Sequence, residues 1–98
     1  MRETRHVIFH APGPAWVPGK SLFEQDGVRD HVNHYRQLHA DGKLFMGGPF
    51  VDGAGGGMMI SEEGVSESEL AEFAQADPAV KSGLLVAELR PWLVGMKK

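Results

Sequence analysis

The chain has 98 residues, with 10 lysines and arginines against 13 aspartates and glutamates, and a formal net charge of −3 at pH 7. This length suits one domain over residues 1–98, whose core stays modest unless association adds buried surface. The acidic balance excludes the basic stripe of a nucleic-acid binder. The absence of cysteine excludes disulfides, thiolate metal sites and a cysteine nucleophile. No signal-peptide or membrane-spanning pattern is found, so a cytoplasmic location without membrane partners is expected.

The first part of the sequence predicts a strand, a long loop and a helix. The β-favouring run Val7-Ile8-Phe9 predicts strand one over residues 5–10. Residues 11–26 hold three prolines without periodicity, which predicts a long loop of the kind that often carries function. Helix one is predicted between Gly27 and Asp41, because apolar residues recur there at helical spacing: Val28, Val32, Tyr35 and Leu38.

The second part predicts a hairpin, a helix and a last strand. Residues 43–50, broken by Gly47-Gly48-Pro49, and residues 57–61 form the hairpin across a glycine-rich turn. Ser66 and Glu69 make a capping box that starts helix two, which ends near Asp77-Pro78. Because proline disfavours helical geometry in the residue before it, Asp77 is expected to be extended or in a turn. Residues 84–92 form strand four.

This order of elements predicts an α+β fold of ferredoxin-like βαββαβ type, with an antiparallel sheet and two helices on one face. Strand four and the hairpin carry apolar side chains on both faces of the sheet. The two helices cover only one of these faces, and an exposed apolar sheet usually marks an interface. A homodimer through the open sheet face is therefore expected.

The same topology predicts a site at one edge of the sheet, where the ends of several elements meet. That edge gathers His10, Trp16, His31, Asp52 and Asp77. His31, in the first turn of helix one, is expected to be half buried and to face Asp77. A carboxylate there fixes the imidazole tautomer and leaves the other ring nitrogen for proton exchange with a ligand. Alternatively, the histidine only satisfies buried polar groups and Asp77 only caps backbone amides.

A metal site is not predicted. His31 and His34 are three residues apart and share a helical face, as metal ligands can. However, the sequence offers no obvious third ligand, and His39 suits an interaction with the helix dipole instead. His34 is grouped with His10, Trp16 and Asp52 as a candidate substrate-binding residue. No metal or organic cofactor is required by these residues.

Four segments resemble the YCII-related (YciI-like) family over nearly the whole chain: residues 31–42, Gly47-Gly48-Pro49-Phe50, residues 76–80 and residues 88–92. The resemblance implies a dimeric α+β barrel, with His31 and Asp77 as the catalytic acid/base dyad. It also implies lyase or isomerase chemistry without a cofactor, such as elimination from a hydroxylated, halogenated ring. The loop that contains Trp16 is longer than in the short family members. The alternatives are a non-catalytic module that binds a small metabolite and a purely structural dimer.

Overall fold

The structure is a computed structural model that describes residues 3–98. Its strands are β1 (Glu3–Pro12), β2 (Leu44–Pro49), β3 (Gly57–Ser61) and β4 (Leu85–Val94). Its helices are α1 (Val28–Ala40), α2 (Glu67–Gln75) and the short α3 (Pro78–Lys81), and a 3₁₀ turn spans Leu22–Glu24. Within these residues, no helix combines the length and the apolar character needed to cross a bilayer.

The four strands form one antiparallel sheet in the order β2-β3-β1-β4. This order and the sequence of elements confirm the predicted ferredoxin-like α+β fold. β1 is central, and its His10 pairs with Gly57 of β3 and with Ala87 of β4. Small neighbours on both sides therefore leave room around the His10 ring.

The side chains of β1 alternate between the two faces of the sheet, as a strand requires. Ile8 lies on the helix-covered face and joins the main core. The other buried members of that core come from the helices: Tyr35, Leu38, Leu70 and Ala74. Val7 and Phe9 line a shallow groove of about 290 Å³ on the open face, together with Met58, Ile60 and Trp92.

The predictions for three of the strands are wrong in detail. β1 continues past His10 because Ala11 and Pro12 still pair with β4. β2 does not break at its glycines, since Gly47 and Gly48 pair with β3, and its irregularity is a bulge between Leu44 and Met46. β4 runs to Val94 rather than to residue 92. These differences arise because the end of a strand is decided by cross-strand hydrogen bonds, whose partners lie far away in the sequence.

The loop over residues 11–26 is also more ordered than its sequence predicts. The side chain of Gln25 is only 4% exposed and forms three hydrogen bonds inside the loop. It accepts from the amide of Val17 at 3.0 Å and donates to the carbonyls of Val17 at 2.8 Å and Lys20 at 3.0 Å. These bonds close the loop on itself. The loop is therefore a fixed structure that carries the 3₁₀ turn beside α1.

Candidate active site

His31 and Asp77 meet in the interior, as the topology predicts. The Nδ1 atom of His31 lies 2.6 Å from the Oδ2 atom of Asp77. Asp77 is 0% exposed and His31 is 5% exposed. The expectation that His31 is half buried is therefore wrong, because Tyr35 and His10 pack edge-on against its ring.

The backbone around Asp77 explains how its carboxylate reaches His31. Pro78 disfavours a helical conformation in the residue before it, and Asp77 has an extended φ of −58° and ψ of 123°. α2 therefore stops at Gln75, and a separate helix, α3, starts at Pro78. The Oδ1 atom of Asp77 accepts a hydrogen bond of 2.9 Å from the amide of Ala79 and caps α3. One carboxylate oxygen thus serves as a cap while the other holds His31.

The environment of Asp77 favours its ionised form. Burial opposes ionisation, but the hydrogen bonds from His31 and from the Ala79 amide outweigh it and lower the pKa of Asp77 below its ordinary value. An ionised carboxylate can only accept, so the shared proton resides on Nδ1 of His31. When the imidazole carries only this proton, the Nε2 atom of His31 has a lone pair. Within residues 3–98, no protein group is hydrogen-bonded to this Nε2 atom.

His10 and Tyr35 extend this polar cluster. The Nε2 atom of His10 lies 3.3 Å from the hydroxyl of Tyr35 and 3.9 Å from Oδ2 of Asp77. Burial, and next the neighbouring His31, lower the pKa of His10 to about 4 despite the opposing effect of Asp77. Burial, reinforced by Asp77, raises the pKa of Tyr35 above its ordinary range. Both side chains are therefore neutral at pH 7.

One atom of this cluster has no partner. The Nδ1 atom of His10 is buried and makes no hydrogen bond to any residue in the range 3–98. An orphaned N–H is more costly in a protein interior than an orphaned lone pair. This difference favours the tautomer with the proton on Nε2 of His10, between the Tyr35 oxygen and the Asp77 carboxylate. The Tyr35 hydroxyl then keeps its own proton for another acceptor.

A cavity of about 580 Å³ opens beside the cluster, and His10, His31 and Tyr35 form its polar inner part. The remaining wall is mostly apolar and comes from α1, the 3₁₀ turn, the β2–β3 hairpin and β4. Its larger apolar members are Leu22, Phe23, Val32, Leu44, Phe45, Met46, Met59 and Leu85. Arg36 and His39, both solvent-exposed, add two basic side chains to the wall. The cavity can hold one small ring-sized molecule with a few polar groups.

Four of the six predicted site residues do not line this cavity: Asp77, which lies behind His31, and Trp16, His34 and Asp52. Trp16 packs against a second apolar cluster of Ala79, Leu84 and Leu85. The carboxylate of Asp52 accepts a hydrogen bond of 3.0 Å from the amide of Ala54 in the exposed hairpin turn. Neither residue is among the cavity-lining side chains. Sequence topology placed them at the correct edge of the sheet but could not say which way their side chains point.

His34 faces α2 rather than the cavity. Its Nε2 atom lies 2.7 Å from the carbonyl oxygen of Phe73, and its ring stacks on the Phe73 ring with 3.9 Å between centroids. A ring nitrogen next to a carbonyl must donate, so His34 joins the two helices. This contact explains why a histidine occupies this position, and no bound ligand is needed to explain it.

A third potential metal ligand is present that the sequence did not reveal. His10, His31 and Asp77 each offer a donor atom, and these atoms lie within 4.8 Å of one another. Two imidazoles and one carboxylate suit zinc or iron. However, a metal on Nδ1 of His31 would displace the proton that this nitrogen shares with Asp77. A metal bound through Nδ1 of His31 would therefore exclude the hydrogen-bonded dyad.

Sequence reasoning assigned Tyr35 to the core and His39 to the helix end, and it did not consider Arg36. The available signal was spacing, because His31, Tyr35 and His39 recur every four residues and so share one face of α1. The structure shows that this face forms one wall of the cavity.

Comparison with known proteins finds a family model, a related sequence and a similar solved structure. Residues 4–93 match the model of a family described as the YCII-related domain. An uncharacterised protein of Bacillus subtilis, YjpA, is 36% identical over 70 residues, which cover 71% of this chain and 80% of YjpA. The chain is also similar to the solved structure of 5-chloro-2-hydroxyhydroquinone dehydrochlorinase (TftG) from Burkholderia phenoliruptrix AC1100, in complex with 2,5-dihydroxybenzoquinone. That similarity has a TM-score of 0.67 and 24% identity, covers 90% of this chain and 92% of the other, and supports the fold.

Proposed function

The chain belongs to the YCII-related domain family, and we propose that it is a cofactor-independent lyase or isomerase for a small, ring-sized metabolite. The observation that carries this proposal is the 2.6 Å contact between His31 and the buried Asp77, at the inner end of the 580 Å³ cavity. An imidazole held through Nδ1 by a buried carboxylate can act as a general base through its other ring nitrogen.

The proposed reaction begins with proton transfer to His31. Nε2 of His31 takes a proton from an acidic O–H or C–H bond of the substrate, and the electrons of that bond form a new double bond. In a lyase, these electrons expel a leaving group such as halide with its own electron pair. In an isomerase, the same proton returns at another carbon. Asp77 stabilises the imidazolium and keeps the ring in place, so neither step needs an oxidant or a metal ion.

Tyr35 has a supporting role in this proposal. Its pKa, raised mainly by burial, keeps the phenol protonated. Its hydroxyl can therefore donate to an oxygen of the substrate that gains negative charge during proton removal. The apolar side chains of the 3₁₀ turn and the hairpin exclude water, which strengthens these electrostatic contacts. The dehydrochlorinase TftG, whose fold is similar, carries in its name an elimination of this general kind.

We also propose that the chain forms a homodimer through the open face of the sheet. That face carries Phe9, Met58 and Trp92, and Trp92 is 43% exposed. An exposed groove that is apolar except for Arg90 is costly in water, and a second copy would cover it with an identical face. The 580 Å³ cavity lies on the helix side of the sheet, so this association would leave its helical wall free.

A substrate screen with matched variants tests the enzyme proposal. The panel contains hydroxylated aromatics with and without halogen, and lactones, and the assays follow proton release, halide release and ultraviolet absorbance. His31→Asn keeps a donor toward Asp77 but removes the base, so turnover of any active compound should fall about 10²- to 10⁴-fold. His34→Asn is the control, because His34 lies outside the cavity.

Two results would contradict the enzyme proposal. One is a broad panel without any turnover, and the other is turnover that His31→Asn leaves unchanged.

A second candidate function is favoured by the cavity itself, which would suit a module that only binds a small metabolite. Saturable binding of a panel compound without conversion would support that alternative.

A further inference from the structure

The two ends of the 580 Å³ cavity differ in charge. At the inner end, the polar lining side chains are His10, His31 and Tyr35, and the carboxylate of Asp77 lies behind His31. This end therefore offers an anion no arginine or lysine side chain among residues 3–98. The cavity wall contains no aspartate or glutamate side chain among residues 3–98. Its permanently charged side chain is the guanidinium of Arg36, on the exposed side of α1.

Arg36 is available to a ligand. Among residues 3–98, no carboxylate oxygen lies within 4.0 Å of its guanidinium, whereas Arg5, Lys43 and Lys97 all have such partners. Arg36 follows His31 by five positions, which corresponds to roughly 7.5 Å along the helix axis. Both side chains line the same cavity, so one ligand can contact Arg36 and His31 together.

We propose that Arg36 is a specificity-determining residue and that the substrate is an organic acid, with a carboxylate or similar anion on a small, largely apolar ring. This inference rests on the proposed function of the same site. The anion binds the guanidinium at the outer end of the cavity, and the acidic proton of the ring faces Nε2 of His31 at the inner end. Arg36 fixes this orientation, because no other arginine or lysine side chain among residues 3–98 lines the cavity.

Binding measurements on acids and their neutral amides test this inference without any need for turnover. The probes are 2,5-dihydroxybenzoate, 4-hydroxyphenylacetate and cyclohexanecarboxylate, each paired with its amide, and titration calorimetry gives Kd for each. We expect at least one acid to bind about tenfold or more tightly than its amide, as a charge-assisted hydrogen bond provides. The preference should weaken as salt is added.

Variants of Arg36 assign that preference to one side chain. Arg36→Met keeps the apolar stem and should bring the ratio of the two Kd values close to one, whereas Arg36→Lys should keep part of the preference. Arg29→Met is the matched control, since Arg29 is an exposed arginine of α1 that does not line the cavity. It should leave the ratio unchanged.

The inference is overturned if no acid in the set binds more tightly than its amide, or if Arg36→Met keeps the full preference. Its failure can be told apart from failure of the proposed enzyme. An acid preference that depends on Arg36, together with no turnover in the substrate screen, would retain the ligand class and remove the catalysis. Turnover of neutral compounds that depends on His31 would do the reverse.

Discussion

The two faces of the sheet use adjacent residues of β1 for opposite purposes. On the helix-covered face, His10 joins a buried polar cluster with Tyr35 and Asp77. On the open face, Phe9 lines a shallow apolar groove. The first face tolerates buried charge because nearly every polar atom has a partner. The second face carries the groove, whose wall is apolar except for Arg90. Chemistry is therefore expected on one face and association on the other.

The largest expected effect comes from removing the carboxylate that organises the helix-covered face. Asp77→Ala leaves His31 and the Ala79 amide without their partner, so the free energy of unfolding should fall by roughly 4 kcal/mol. Urea denaturation measures this change. Asp52→Ala is the control, because that carboxylate is exposed and bonds only to a local amide, and it should cost less than about 1 kcal/mol. Equal losses in the two variants would contradict the structural role of Asp77.

A second prediction concerns the pH dependence that His10 gives to the same face. The pKa of His10 is about 4 in the folded protein and 6.5 as an unperturbed group. Between these values the unfolded chain binds a proton that the folded one does not, so stability decreases as the pH falls from about 6.5 to about 4. The decrease attributable to His10 should reach up to roughly 3 kcal/mol.

His10→Phe isolates this contribution, because phenylalanine has a similar shape and does not titrate. The groups that face His10 are Asp77, His31 and Tyr35, and all three remain in the variant. Urea denaturation at a series of pH values should show a shallower decline for His10→Phe than for the wild type over this window. Parallel pH profiles would show that His10 titrates normally in the folded protein.

The open face is tested by placing a charge in its groove. Met58→Glu should weaken the proposed homodimer about thirtyfold, because a carboxylate would have to lose its water at the interface. Sedimentation equilibrium measures the dissociation constant. Met96→Glu is the control, since Met96 is 96% exposed and lies outside the groove. A wild-type protein that stays monomeric at millimolar concentration would contradict the dimer.

The smallest effect is expected at His34, which bridges α1 and α2. His34→Ala removes the hydrogen bond to the Phe73 carbonyl and the ring stacking, so stability should fall by about 1–2 kcal/mol. Thermal unfolding followed by circular dichroism measures this loss. Ligand binding in the cavity should not change, because His34 lies outside it. A loss of ligand affinity would instead show that His34 belongs to the binding site.

Much of the fold was predictable because its signals are local. Ser66 begins α2 through its hydrogen bond from the Glu69 amide, which is half of the predicted capping box, whereas the Glu69 carboxylate pairs with Lys43. Pro78 places Asp77 in an extended conformation through a clash with its immediate neighbour. The short helix α3 was not predicted, since four residues are too few to show a periodic pattern.

The sequence by itself determined the order of the elements and brought His31 and Asp77 to the same edge of the sheet. Only the tertiary structure decided which side chains share the cavity. His10 turns inward as a possible third metal ligand, Trp16 packs elsewhere, and Arg36 remains free of carboxylates in the described part of the chain. The physical reason is that periodicity specifies the face on which a residue lies. The distances and pKa values of a site depend instead on long-range packing and burial, which no local pattern encodes.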